Sequence, residues 1–408
     1  MQPVVLFEDE GFVDLLPLTF WRTVFELRVG RQILLDRIAQ RLATTIAGVW
    51  TRDWIAPVAA QRCSAPANQP LRDGAILVNG RWLVDDGVQL PASPCVGMVE
   101  DTVVFVVSGP RHRERLRPRD FLDPHRRDEA LSGLERITAP GRIVRYPWQI
   151  VAGLGDLLRR DLAESKAFIE PELDPRTSLQ CPERIQIGQG THVHSTAVID
   201  ADPGPVHISH DVRIGAHAVI QGPAYLGAGT HLNPHAWLHG GNAIGPICKI
   251  GGEVDGCVID GYTNKQHAGF LGHSYVGSWV NLGAGSTNSD LKNTYGPVRV
   301  PVNGTEVDSR TQFFGAVIGD FAKVGINATM PTGAVVGFAA SIAASRLLPK
   351  WIPSFSWVTE DRVSPGDPSR LLDAATAMMV RRNIDMTDDE VELFLELGRL
   401  APTFERRA

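Results

Sequence analysis

An α/β domain, then a parallel β-helix, then a helical C-terminal segment is the architecture that the sequence predicts, and three observations carry it. Residues 206–241 repeat with a period of six, as VHISHD, VRIGAH, AVIQGP, AYLGAG, THLNPH and AWLHGG. Ahead of that repeat, short apolar runs alternate with a stretch of helical periodicity. Behind it, apolar residues return at spacings of three and four.

The α/β part is expected over residues 1–165. Residues 3–7 are a short apolar strand, and residues 29–42 carry Ile33, Leu34, Ile38 and Leu42 at helical spacing. Residues 47–50, 75–84 and 96–108 read as further strands. Strands alternating with helices predict a partly parallel sheet with ligands bound beyond the strand ends. A helical stretch at 157–168 closes this part, and residues 166–184, with EPELDPRTSLQCPE, form the linker.

In each hexad the first residue is small or branched (Val206, Val212, Ala218, Ala224, Thr230, Ala236). The third is Ile or Leu (Ile208, Ile214, Ile220, Leu226, Leu232, Leu238). First and third positions share parity, so in an extended chain both face one side while the residues between face the other. Such a ladder is buried only when coils stack, which is what a parallel β-helix does. Earlier hexads begin at Ile185, Thr191 and Ala197, and later ones at Asn242 and Cys248. The pattern returns in shifted phase at Ala268/Phe270, Ser274/Val276 and Val280/Leu282, and again from Ala316/Ile318 to Ala334/Val336. The solenoid is thus expected over residues 185–345, broken by an irregular stretch at 286–310. Residues 346–408 form the extension: Pro365 and Pro368 are breakers, 371–380 is helical, and Thr387 with Glu390 makes a capping box for a last helix.

The net charge of −6 gives neither nucleic acid nor an anionic membrane a reason to bind. Five cysteines without CxxC spacing indicate neither a disulfide framework nor a thiolate metal site. Glu8, Asp9 and Glu10 interrupt the first apolar run and no stretch reaches the ~20 apolar residues of a membrane span, so the expected location is the cytoplasm. Residues 111–129 hold seven arginines interleaved with Asp and Glu, the pattern of a solvated, self-paired segment.

Among twelve histidines, His194, His207, His217, His231, His235 and His239 occupy even hexad positions and are expected to face outward or lie in turns. A trimeric β-helix can hold zinc between subunits, but the HxxxxH ligand pair of such hydratases is absent, and no metal ligand is assigned. His267 differs, because it lies where the hexad rhythm breaks, and loops on a rigid scaffold are where sites are built. A neutral imidazole can take a proton from an attacking amine or hydroxyl. Beside it, Lys265 is a candidate for a phosphate, and the amides of Gly283, Ala284 and Gly285 for a developing oxyanion.

With those residues in view, the segment resembles the acetyltransferase half of the GlmU family, and the chain as a whole resembles the shorter GlmU-like sugar nucleotidyltransferases. His267, Leu271 and Gly272 reproduce the family's HxxxLG run, and Asn281 to Gly285 its NxGAG motif. The resemblance implies a left-handed β-helix, His267 as the catalytic base, Asn281 holding the sugar, and the Ala284 amide at the thioester of acetyl-CoA. Phe270 stands where the family has Tyr, Asp255 where it has Lys, and Ile326 near the place of a thioester-contacting Ser. In the first part, Pro17, Leu18, Thr19, Val29 and Gly30 fit the PLT and VxG signature of sugar-1-phosphate nucleotidyltransferases, so an α/β nucleotidyltransferase-like domain is implied. Arg22 and Arg28 would then be the cations for a triphosphate or sugar phosphate, and Asn79 would belong to a degenerate NGD motif whose Asp is Arg81. FEDEGFVD replaces the family's glycine-rich loop.

The expected function is a nucleotide-sugar enzyme: a nucleotidyltransferase using Mg²⁺, fused to an acyltransferase in which His267 deprotonates an amino-sugar phosphate attacking acetyl-CoA. Its partners would be a sugar phosphate, a nucleoside triphosphate and two further copies of the chain, as a homotrimer. The alternatives are a catalytically decayed regulatory trimer that binds a sugar nucleotide, and a zinc-dependent hydratase on the same solenoid.

Overall fold

The computed structural model describes residues 3–163 and 166–405, with nothing on the side chain of Arg111. By their internal contacts these residues fall into two compact units. The first comprises residues 3–28, 32–146 and 387–397, and the second comprises 29–31, 147–163, 166–386 and 398–405.

In the first unit six strands form one mixed sheet: β1 (Val4–Phe7), β2 (Ile46–Trp50), β3 (Ile76–Asn79), β4 (Cys95–Val99), β5 (Thr102–Val107) and β6 (Glu135–Thr138), in the order β2-β1-β3-β5-β4-β6. β1 is parallel to β2 and β3, β5 is antiparallel to both β3 and β4, and β6 is parallel to β4. Every residue of β1, β3 and β5 is buried, as strands covered on both faces must be, which is why they read as continuous apolar runs. Phe7, Trp50 and Phe121 pack together in this core, with ring centroids 4.4 and 5.7 Å apart around Phe121.

Three expected elements differ. The helix expected over 29–42 is α1 (Leu34–Arg41) alone, because Gly30, at φ +70°, turns the chain between the short strands Arg28–Val29 and Gln32–Ile33. The strand expected over 75–84 breaks after Asn79 and resumes at Trp82–Leu83. The strand expected over 96–108 is the hairpin of β4 and β5, with Glu100 at φ +54° in its turn. Residues 387–397 supply the capping box that the sequence predicts: Thr387 Oγ1 accepts from the Glu390 N–H, and the Glu390 carboxylate accepts from the Thr387 N–H.

The second unit opens with helices α2 (Pro147–Ala152) and α3 (Leu154–Ala163). A parallel β-solenoid of about 11 turns then runs between residues 168 and 359. Its coils stack in register, as in Val206↔Ala224↔Asn242 on one face and Arg213↔His231↔Lys249 on another. First and third hexad residues all point inward: Val206, Ile208, Val212, Ile214, Ala218, Ile220, Leu226, Leu232 and Leu238 are at most 2% exposed. None of the six even-position histidines is buried. The interruption at 286–310 contains an antiparallel arm, Arg299–Val302 with Thr305–Asp308; coil pairing already begins at Phe168–Ile169 and Ser178–Gln180, inside the segment expected as a linker, and continues past residue 345 to Trp351–Ile352 and Ser356–Thr359. Helix α4 (Pro368–Val380) follows, capped by Asp367. The last helix is α5 (Asp388–Phe404).

Candidate functional site

The segment around His267 is built by stacking. Asn281 lies directly over Asn264 in the next coil, and the Gly285 N–H donates to the Ala268 carbonyl at 3.0 Å. The turn holding Ala284 therefore sits on the turn holding His267, and the solenoid brings His267, Asn281 and Ala284 to one corner. The His267 side chain is exposed and makes no hydrogen bond or ion pair among the described residues. The Ala284 N–H likewise has no acceptor there, while its carbonyl accepts from Asn327. Gly269, at φ +128°, is required: a Cβ on it would lie 2.2 Å from the Ser286 carbonyl oxygen. Ile326 is 61% exposed and follows Gly325, which packs on Gly283 one coil below.

Lys265 is corrected by the structure. It is 2% exposed, and its ammonium donates to the carbonyls of Gly251, His267 and Gly269, each at 2.8 Å. All three of its protons are used, so it clamps the His267 turn to the coil below and has no donor left for a phosphate. Burial pushes its pKa down to about 8. The hexad rhythm explains the position: Lys265 pairs with Ile250 on the inward side of its strand.

Cations do gather nearby, at positions the sequence reading passed over. Arg213, His231, Lys249, Asn264, Asn281 and Lys323 form one register column. The Arg382 guanidinium donates to Asn264 Oδ1 at 2.7 Å. Burial first, then Arg213, Lys249 and Arg382, lower the pKa of His231, and burial lowers that of Lys323 to about 8.

In the first unit the segment that replaces a glycine-rich loop is locked by two buried ion pairs. The Arg52 guanidinium grips Glu8 through Nε and Nη2 at 2.9 and 3.0 Å, and Glu8 also accepts from the Val24 N–H and Thr51 hydroxyl. The Arg81 guanidinium grips Asp9 through Nε and Nη2 at 2.7 and 2.6 Å and donates to the Val144 carbonyl at 2.9 Å. Asn79, fully buried, donates to Asp9 and the Val103 carbonyl and accepts from the Arg81 N–H, so as a substrate contact it is corrected. Arg22 is 8% exposed and its carbonyl accepts from Arg52; Arg28 is half-buried beside Asp36. For a divalent cation the donor set does not fit: Asp9, the carboxylate beside the NG pair, already faces a guanidinium. Among the described residues no three His, Cys, Asp or Glu side chains converge as a metal site. The arginine-rich run is paired within itself only in part, Arg126 with Asp123 and Arg127 with Asp128; Arg113 pairs with Asp73 and the buried Arg127 with Glu10, both outside the run.

One arrangement had no signal in the sequence. His273 Nδ1 lies 2.8 Å from the Asp290 carboxylate, 17 residues away, across the start of the interruption.

Residues 4–167 match the sugar nucleotidyl transferase family. The bifunctional protein GlmU of Acidithiobacillus ferrooxidans is 30% identical over 171 residues, 36% of this chain and 37% of that protein. GlmU of Synechococcus elongatus is 29% identical over 231 residues, 50% of this chain and 47% of that protein. The chain thus spans less than half the length of these curated relatives. Among solved structures, the UDP-N-acetylglucosamine acyltransferase LpxA of Bacteroides fragilis aligns over 57% of this chain and 98% of its own, at 14% identity and a TM-score of 0.17. At that score the two superpose too loosely for comparison. No helix among the described residues is long and apolar enough to cross a membrane.

Proposed function

We propose, for a GlmU-like chain whose residues 4–167 belong to the sugar nucleotidyl transferase family, that the protein is a nucleotide-sugar transferase whose solenoid carries out N-acyl transfer. In this reading His267 takes the proton from the amine of an amino-sugar phosphate as that nitrogen attacks the acetyl-CoA thioester. The Ala284 N–H donates to the oxygen that gains charge, and Asn281 holds the acceptor sugar. The new C–N bond replaces the C–S bond, and CoA leaves as the thiol. The observation that carries the reading is the stacking at one corner of an exposed imidazole, Asn281 and a main-chain amide that has no acceptor among the described residues. The column with Arg213, Lys249 and Lys323 gives an anionic substrate a reason to approach that side. A homotrimer, with a neighbouring copy closing the groove, belongs to the same proposal.

The test is release of free CoA from acetyl-CoA over a panel of amino-sugar phosphates, glucosamine 1-phosphate included. His267→Ala should abolish it with the fold intact. A flat thiol signal from the wild type across the panel refutes the reading.

For the first domain a second reading has its own observation. With Glu8 and Asp9 consumed by Arg52 and Arg81, the domain has a rigid salt-bridged loop in place of free amides, which favours binding a sugar nucleotide over transferring one. Pyrophosphate release from UTP or dTTP with sugar 1-phosphates and Mg²⁺ separates the two. Release that falls in Arg22→Ala or Arg28→Ala supports transfer, and saturable UDP-sugar binding without turnover supports the binding role.

A further inference from the structure

Within the second unit, a cleft of about 380 Å³ is lined by Arg159 of α3, by Gln221, His273 and the glycines Gly222, Gly240, Gly241 and Gly256, among others. That volume is of the size that small-molecule sites occupy. From these residues we propose that the cleft is a second ligand site, separate from the His267 corner, for a small phosphorylated polyol.

Three features converge on that chemistry. The His273 ring is held by Asp290, whose carboxylate accepts at Nδ1 and is only 15% exposed. That bond sends the other nitrogen to the opposite side: a Cβ on Gly256 would meet His273 Cδ2 at 2.9 Å and Nε2 at 3.0 Å, and both residues line the cleft. Gly272 serves the pair in the same way, since a Cβ there would lie too close to Asp290 Oδ2. The ring also rests against Phe313, at 5.3 Å between centroids, so its orientation is fixed by two neighbours.

The second feature is charge. Arg159 is half exposed, bonds only Asp156 through Nη1, at 3.1 Å, and keeps its other donors without a partner among the described residues. The third is main-chain donors. The N–H groups of Gly240 and Gly256 have no acceptor among the described residues. A guanidinium with spare N–H groups and two unused amides suit the oxygens of a phosphate monoester. His273, whose Nδ1 is taken by Asp290, has Nε2 left to meet a hydroxyl, accepting its proton when the ring is neutral. Asp290 is a positioning residue, acting through the imidazole.

The experiment is calorimetric titration of the full chain with glucose 1-phosphate and, separately, with inorganic phosphate, in the wild type and in His267→Ala, Arg159→Gln, His273→Gln and Asp290→Asn. For the sugar phosphate a saturable site is expected that persists in His267→Ala and is weakened about tenfold or more in Arg159→Gln and His273→Gln, as the loss of one charge-assisted or buried hydrogen bond implies. In Asp290→Asn the ring ¹⁵N shifts of His273 should lose their preference for the Nδ1–H form. Arg159 is exposed enough for its variant to fold, which equal thermal unfolding of wild type and variant checks. Absence of saturable binding, equal affinity in the Arg159 and His273 variants, or inorganic phosphate binding as tightly as the sugar phosphate would each overturn the proposal. Loss of binding in His267→Ala would place the ligand at the other corner and overturn it too, leaving the acyl-transfer reading to stand or fall by its CoA assay.

Discussion

Replacing Arg81 by Met keeps a side chain of similar length over Gly11, against whose Cα the guanidinium lies, but removes the charge that Asp9 faces. Asp9 is about as buried as a residue can be, and burial alone would push its carboxyl pKa upward. The Arg81 charge, the hydrogen bonds from Arg81 and Asn79 and the charge of Arg127 together outweigh burial and hold it below its ordinary value. The pair therefore contributes stability that is fully present above an ordinary carboxylate pKa and is lost as pH falls through the depressed one. Without Arg81, Asp9 keeps Asn79 and the Gly11 N–H, and its burial goes largely unopposed. Removing one partner of a buried pair costs about 3–5 kcal/mol. At 1.4 kcal/mol per factor of ten, amides of β1 and β3 should exchange hydrogen roughly a hundred- to several-thousandfold faster at pH 7.5, with solenoid peptides as the internal control. The sign of the pH effect inverts in the variant: Asp9 now binds its proton more tightly folded than unfolded, so the deficit shrinks toward pH 5. Asp9→Asn combined with Arg81→Met should recover most of the loss, because no buried charge is then left alone. Exchange within about threefold of wild type, or a deficit that does not narrow at pH 5, refutes the reasoning.

Lys265→Met removes all three ties between the coil and the His267 turn; residues 266–269 should lose exchange protection by about 1–3 kcal/mol, and CoA release should fall with them. Because burial lowers Lys265 from 10.5 to about 8, the unfolded chain holds that proton more tightly, and the stability of this turn should rise with pH between those values in the wild type and stay flat in the variant. Glu405, which accepts from the Ser354 N–H and hydroxyl, has its pKa pushed up by burial to about 7, so protection of the C-terminal residues near it should be greatest below pH 4.5 and fade as pH rises through 7, and Glu405→Gln should remove that dependence.

The solenoid was legible because its period is local. Val212 and Ile214, or Ala236 and Leu238, announce their faces within three residues, and repetition fixes the stacking. The capping box at Thr387 and the helical spacing of 371–380 were legible for the same reason, whereas Pro368, expected as a breaker, opens that helix at its first turn, where its missing N–H costs nothing. What was hidden depends on pairs distant in sequence. Asp9 meets Arg81 across 72 positions, and Glu8 meets Arg52 across 44. A string of carboxylates in place of a glycine-rich loop announces lost amides but not which guanidinium fills the gap. Lys265 misled by its type, since a cation beside a candidate base suggests a phosphate; its parity, in line with Leu232 and Ile250, pointed inward all along. His273 and Asp290 are joined only through the fold of the interruption, which carries no periodicity from which contacts could be counted.

Because the strands of each coil pair with those of the coil before and the coil after, the length of the solenoid is quantised. Excising residues 213–230 would splice Val212 to His231 and hand every ladder on to its next rung, whereas deleting half as many would turn each inward side chain onto the wrong wall. The spacing between the first coil of the solenoid and the His267 corner can therefore change between related proteins only by whole rungs, and a groove formed there would keep its shape while its height above that first coil is reset one step at a time.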